Sequence, residues 1–438
     1  MRRIVALTLA LLTFAVVAAD AKEEVVIGVI GPMSLPEGRA ELNAVKLAVE
    51  EINAKGGILG KHVKVVWGDT KLNPSVATSE FRRLATKEKA DVIIGGFSSG
   101  VMLSMMETMA ETKTLFLADS SSPACSKKVE ENYEKYKYWF RVSQNNGTTF
   151  AYDLADMVKF LRSNGYDVKR VYIIRDEHIW TDAVMDNLKP LLKKMGVEIV
   201  KDVEVPRGYT EYEQLILDAE EKKADLIMPI LAIVETGDIL AKQWATLKPK
   251  ILLAGSDVLA CDDPEFYNKT NGLANYEIFI AHGGVVITAP PTDMCKHFIE
   301  AYKAKYGHYP ESHLAYGAYD AVYLYKIAVE EAAKKEKDPF DPDVLVKYLE
   351  KFNESNPVKL TRVIAFYKNH DLVWGNEYVR NWVCQWQDGK QYIIYPENVA
   401  NGKLKLPPWF KEEEKKTPGF EALVGIVTLA LIAYAVRR

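Results

Sequence analysis

Two serine clusters stand where a chain could hold an anion. Ser98-Ser99 follows the apolar run Val92-Ile93-Ile94-Gly95-Gly96, and Ser120-Ser121-Ser122 follows Leu115-Phe116-Leu117-Ala118. Each hydroxyl is a donor, and a strand-to-helix turn adds unpaired backbone N–H groups at the positive end of the helix dipole. Two such loops side by side make a cradle for a carboxylate. Serine before a helix is equally suited to capping it, so both readings stand. Asp176-Glu177-His178 carries acid–base residue types, but no nucleophile at a strained elbow accompanies it, and these charges also suit a helix start. The seven histidines form no i, i+4 pair and the four cysteines no C-x-x-C, so neither a metal nor another cofactor is expected.

The elements that must position these loops alternate. Short aliphatic strands are expected at 25–30, 62–67, 91–95 and 114–118, then at 170–174, 197–203, 226–230 and 251–254. Helical periodicity fills the intervals, as at 38–54, where Leu42, Val45, Ala48, Val49 and Ile52 share a face. The rhythm runs once to 118 and restarts at 150. That predicts an α/β protein of two doubly wound parallel-sheet lobes. Ligands of open α/β sheets sit beyond the carboxyl ends of the strands. The loops there are 31–34, 96–99, 119–123, 176–180 and 255–257.

Composition narrows the function. With 48% hydrophobic and 26% charged residues and a net charge of −4, the chain is globular and lacks the basic surface that nucleic acid requires. Met1-Arg2-Arg3, an uncharged run over 4–19 and Ala19-Asp20-Ala21 predict a signal peptide at 1–21. A charged stalk at 406–417 precedes Pro418-Gly419-Phe420, an apolar run over 422–436 and Arg437-Arg438. Fifteen apolar residues rise only about 22 Å as a helix, short of a full bilayer crossing. Asn146-Gly147-Thr148, Asn268-Lys269-Thr270 and Asn353-Glu354-Ser355 are N-glycosylation sequons.

Two stretches carry a resemblance. GVIGPMSLPEGRAELNAVKLAVEEINAKGGILGKHVKVVWGDTK resembles the opening of the branched-chain amino-acid (LIV-type) binding proteins, and YKAKYGHYPESHLAYGAYDAVYLYKIAVEEA their late helix pair. The resemblance implies a type I periplasmic-binding fold: two α/β lobes joined by a three-segment hinge that closes on ligand. It divides the chain into lobe 1 at 22–142 plus 277–357 and lobe 2 at 143–276 plus 358–405. It implies a monomeric extracellular receptor, not an enzyme, that binds an amino acid (branched-chain or a related small carboxylate) and hands it to ABC permease subunits. A ligand sensor of the same fold, uncoupled from transport, is the alternative.

Carried over by position, Ser98 and Ser121 fall where the family binds the ligand carboxylate, with Ser99, Ser120 and Ser122 as neighbours. Trp180 falls where an aromatic packs over the ligand. Asp257 falls where an acid takes the α-ammonium, as Asp where branched-chain members have Glu, and Leu231-Ala232-Ile233 replaces the family's tyrosines. The tail resembles the PGF-CTERM sorting signal of archaeal surface proteins, which implies archaeosortase processing of 418–438; a plain membrane anchor is the alternative. Either places the receptor on the outer face of the cell membrane, held by its C-terminus. Export and an even cysteine count predict at least one disulfide. Cys125–Cys295 and Cys261–Cys384 would each stay within a lobe, with Cys261–Cys295 as competitor.

Overall fold

The computed structural model describes residues 24–143, 146–232 and 235–411. The signal peptide, most of the charged stalk, the C-terminal segment and Ile233 lie outside them. In the first lobe, β1 (Glu24–Gly31), α1 (Pro36–Ala54), β2 (His62–Asp69), α2 (Pro74–Arg82) and β3 (Val92–Gly96) follow one another. Next come α3 (Ser99–Thr112), β4 (Leu115–Asp119), α4 (Pro123–Glu131), α5 (Tyr133–Tyr136) and β5 (Trp139–Arg141). The five strands pair in the order β2-β1-β3-β4-β5, all parallel. β3 and β4 are buried along their whole length, as strands covered on both faces must be, while the edge strand β2 is partly exposed.

The second lobe continues with α6 (Gly147–Ser163), β6 (Arg170–Asp176), α7 (Ile179–Lys194), β7 (Glu198–Val205) and α8 (Tyr212–Glu221). It goes on through β8 (Leu226–Leu231), α9 (Gly237–Leu247), β9 (Leu252–Asp257), α10 (Val258–Asp262), α11 (Phe266–Lys269) and β10 (Ile278–Ala281). The chain then returns to lobe 1 for α12 (Asp293–Tyr306), α13 (Leu314–Ala332) and α14 (Pro342–Leu349), followed by the short pair β11 (Val358–Lys359) and β12 (Val363–Ile364). It ends in lobe 2 with β13 (Trp382–Gln387) and β14 (Lys390–Tyr395). The second sheet runs β14-β13-β10-β9-β8-β6-β7.

That sheet is not wholly parallel. β13 lies antiparallel to β10, and β14 antiparallel to β13. Asp388 and Gly389 turn the hairpin with positive φ at both residues, the geometry that Asp-Gly favours. The crossings also fall later than residues 276 and 358. β10 joins the second sheet, so the chain leaves lobe 2 after Ala281. Leu360, Ile364, Phe366, Leu372 and Val379 pack into the first core, and Trp382 and Cys384 into the second.

Buried charge ties the crossing segments together. The Arg362 guanidinium pairs with Asp320 on α13 at 2.9 Å, and it donates to the carbonyls of Val142 (2.8 Å) and Ser143. Gly283 N–H donates to Asn381 Oδ1 at 2.8 Å, joining the second crossing to the third. Asn146 is spent locally: its side chain caps α6 and donates to Asp371 at 2.8 Å.

The expected disulfides do not form. All four cysteines are free and buried. Each packs as a small apolar residue within its own layer: Cys125 and Cys295 in the first core, Cys261 and Cys384 in the second. Two cores of this size hold without a covalent staple.

Candidate functional site

A partly open cleft between the lobes holds a cavity of about 40 Å³. Lobe 1 lines it with Glu37, Phe97, Ser98, Ser99 and Ser121; lobe 2 with Phe150, His178, Trp180, Ala232 and Val258; His282 and His313 complete it.

The lobe 1 wall follows from sheet order. β1, β3 and β4 are consecutive neighbours, so the segments after their carboxyl ends lie in a row. At the end of β3 the chain runs Gly95, Gly96, Phe97 with φ of 112°, 127° and 63°. A Cβ on Gly95 would sit 2.3 Å from the Ile30 carbonyl, so only glycine fits there. Phe97 holds a left-handed backbone that a bulky residue seldom adopts, and its N–H donates to Asp119 Oδ1 at 2.6 Å. Burial pushes the Asp119 carboxyl up to about 7, against that N–H, which lowers it.

The capping alternative can now be weighed serine by serine. Ser98 holds the N-cap position of α3, yet its side chain makes no capping bond. Its hydroxyl and the unpaired N–H groups of the first turn therefore remain for another acceptor. Ser121 also lines the cleft, and its carbonyl accepts from Gly147 N–H at 2.7 Å. Ser120 and Ser122 do not line it. Ser120 is fully buried, its Oγ 3.4 Å from Ser99 Oγ and accepting from Ser122 N–H at 3.2 Å. The Ser122 carbonyl is taken by Arg141 at 2.8 Å. The structure thus brings Ser98, Ser99 and Ser121 together at the surface of the cleft, with Ser120 beneath.

On the lobe 2 wall the side chains are braced by Asp176. Its Oδ2 accepts from the Trp180 indole at 2.9 Å and from Ala232 N–H at 2.8 Å. Asp176 thus positions two residues of the wall, Trp180 and Ala232. Phe150 meets Trp180 edge-on at 5.9 Å and His282 at 5.2 Å. Glu177 points away into solvent. Asp257 does not line the cleft. Its Oδ1 accepts from Leu259 and Ala260 N–H at 3.0 and 3.4 Å, capping α10, and its carboxylate lies against Gly237. Proximity to two helix starts explains an acid there.

Sequence reasoning missed Glu37, Phe150, His282 and His313. His282 Nε2 lies 3.0 Å from Ser256 Oγ, its ring 4.6 Å from that of His313. Burial, followed by the nearby His313, pulls the His282 pKa down to about 3, so the ring is neutral. His313 Nδ1 bonds Asp262 at 2.7 Å. Burial favours a protonated Asp262, but the charge and hydrogen bonds of His313 outweigh it and hold the carboxyl below its ordinary range. No group of three or more side chains that could hold a metal occurs among the described residues.

Residues 24–372 match the periplasmic binding protein family. The chain belongs to that family. Family and fold are those of substrate-binding proteins, not of enzymes. A PGF-CTERM motif matches residues 417–438, and the two matches together mark this periplasmic binding protein as exported and surface-anchored. No helix among the described residues is long and apolar enough to cross a membrane. The chain is 26% identical over 404 residues to Leu/Ile/Val-binding protein homolog 7 of Brucella abortus, covering 89% of this chain and 96% of that one. Among solved structures it resembles the branched-chain amino acid transporter substrate binding protein LivJ of Streptococcus pneumoniae in complex with isoleucine. The TM-score is 0.68 at 23% identity, over 84% of this chain and 97% of that one. A solute binding protein of R. palustris in complex with benzoate gives a TM-score of 0.68 at 18% identity, over 87% and 100%. These likenesses establish the type I periplasmic-binding fold.

Proposed function

We propose that this protein is the extracellular receptor of an ABC importer and binds an amino acid or similar small carboxylate in the interlobe cleft by hinge closure. The observation that carries the reading is Ser98. It sits at the N-terminus of α3 with its side chain unused for capping, beside Ser99 and Ser121 on the same wall. Donors so arranged suit a carboxylate, which gains from the helix dipole as well as from hydrogen bonds. Trp180 and Phe150 offer apolar faces for the rest of the ligand. Relatives solved with isoleucine and with benzoate share a carboxylate as their common ligand chemistry. Anchoring through the PGF-CTERM segment, after archaeosortase processing, holds the cleft outward beside its permease subunits.

Calorimetric titration of the dialysed protein with a panel of α-amino acids and plain carboxylates tests the reading. Saturable binding at one site per chain is expected for at least one of them. A protein that binds none of the panel refutes it.

A further inference from the structure

We propose that Glu37 takes the cationic group of the ligand, so that the cleft selects α-amino acids over plain carboxylates. This rests on the carboxylate-receptor reading and names the second pole of the same site. Glu37 lines the cleft, and its Oε2 is buried without a hydrogen-bond partner. The two other acids close enough to influence it are already engaged. Asp262 bonds His313 at 2.7 Å, and Glu235 pairs with Arg207 at 2.7 Å. Glu37 is thus the cleft acid left to be matched by a ligand.

The backbone places it there. Pro36 opens α1, and Gly38 passes so close to Pro32 that a Cβ would lie 2.5 Å from the Pro32 carbonyl. Glu37 is fixed between them in the first helical turn. Burial, joined by Asp262 and Glu235, raises its pKa against the bond from its own backbone N–H and the influence of His313, and a ligand cation beside it favours the carboxylate.

Sheet order supplies the spacing. Neighbouring strands lie about 5 Å apart, so the segments bearing Glu37, Ser98 and Ser121 step across the floor of the cleft from β1 to β3 to β4. A carboxylate seated on the two serine loops leaves the ammonium of an α-amino acid facing the β1 side. A plain carboxylate has nothing to offer there and leaves Glu37 buried and unmatched, a penalty that discriminates. Asp257, the other acid considered for this role, does not line the cleft; its Oδ1 caps α10 and its Oδ2 is buried away from the cleft lining without a hydrogen-bond partner.

Calorimetry with two matched pairs tests the assignment: L-leucine against 4-methylpentanoate, and L-phenylalanine against 3-phenylpropanoate. Wild type should prefer the amino acid of the pair it binds. Glu37→Gln should lower amino-acid affinity about tenfold or more while leaving the deaminated partner within about twofold. Asp257→Asn keeps the cap and should leave both nearly unchanged. Thermal melts check that each variant is folded. Unchanged amino-acid affinity in Glu37→Gln, or a larger loss in Asp257→Asn, overturns the assignment. Equal wild-type affinity within a pair also overturns it and leaves the receptor reading intact; binding of no carboxylate at all overturns the receptor reading itself.

Discussion

Lobe 1 meets the cleft with hydroxyls, helix N–H groups, one carboxylate and the Phe97 ring, whereas lobe 2 meets it with the rings of Phe150, His178 and Trp180 beside Ala232 and Val258. The two walls are also held differently. Backbone geometry fixes the serine loops: Gly95 and Phe97 hold conformations that leave the start of α3 little freedom. Side-chain bonds fix the opposite wall, where the Asp176 carboxylate grips Trp180 and Ala232. A wall set by backbone suits groups that every ligand of a class shares, and a wall set by side chains suits the part that varies. If the cleft takes a small carboxylate as proposed, the lobe 1 surface reads its charged end and the lobe 2 surface its bulk.

The largest expected effect comes from stripping lobe 1 of donors. Hydrogen bonds to a charged group contribute about 1.5–3 kcal/mol each, so Ser121→Ala should weaken binding roughly ten- to a hundredfold. Ser98→Ala combined with it should weaken binding further, by about a hundredfold or more in total, and by a similar factor for every ligand that binds. Calorimetry across the panel measures the factor. A loss confined to one ligand would break the division between the walls.

Lobe 2 should respond with a smaller and ligand-dependent loss. Trp180→Ala removes the ring that meets Phe150 and should cost about 1–2 kcal/mol, more for ligands with larger apolar parts. Trp180→Phe keeps a ring but drops the bond to Asp176, and should fall between wild type and the alanine variant. Affinity ratios between small and large ligands are the readout. Ratios unchanged in Trp180→Ala would mean that lobe 2 does not sort them.

The floor under the serine loops and the crossing segment at His282 should also differ in pH dependence, with opposite sign. Asp119, under the serine loops, is raised from 3.8 to about 7 by burial, so its proton is favoured in the folded state. Its contribution to stability is fully present below about pH 3.8 and is lost as pH rises through 7. His282 is lowered from 6.5 to about 3, so its contribution is present above pH 6.5 and is lost as pH falls toward 3. Each slope is at most about 1.4 kcal/mol per pH unit. Denaturant melts at pH 4.5 and 6.5 separate them. Asp119→Asn should gain on wild type as pH rises, and His282→Gln should gain as pH falls. Parallel shifts in both variants would remove the distinction.

These contrasts explain what was legible beforehand. The strands that position the serines, β3 and β4, are unbroken aliphatic runs, and nothing in a doubly wound fold competes with that pattern. The serine loops at their ends were legible for the same reason. β13 and β14 carried a signal in Asp388-Gly389, but the hairpin interrupts a strand–helix rhythm that pointed to parallel pairing throughout. Glu37 was hidden because an acid in the first turn of a helix already has an explanation in the dipole. Asp257 is the converse case: its residue type suits an ammonium partner and a cap equally, and in the structure its Oδ1 accepts from Leu259 and Ala260 outside the cleft lining. His282 and His313 stand on segments far apart in sequence, so no local pattern could bring their rings together.

The cysteines provide the smallest expected effect and a check on whether the lobes are alike in how they are held. Each lobe buries two free thiols within its apolar core. Burial pushes Cys125 up to about 12 and raises the other three as well, so little thiolate exists to react or oxidise. Removing a native disulfide from a small exported domain costs about 2–5 kcal/mol, which would appear as a clear drop in melting temperature on reduction. Here, reductant should leave the melting temperature of both lobes unchanged. Thiol titration should find almost no reactive group in the native protein and all four once it is unfolded without reductant. A bridge found in one lobe by non-reducing peptide mapping, together with a reductant-sensitive melt, would show that this lobe needs a covalent tie the other does without. Otherwise neither lobe relies on a covalent tie, with Cys295 and Cys384 packed at zero exposure.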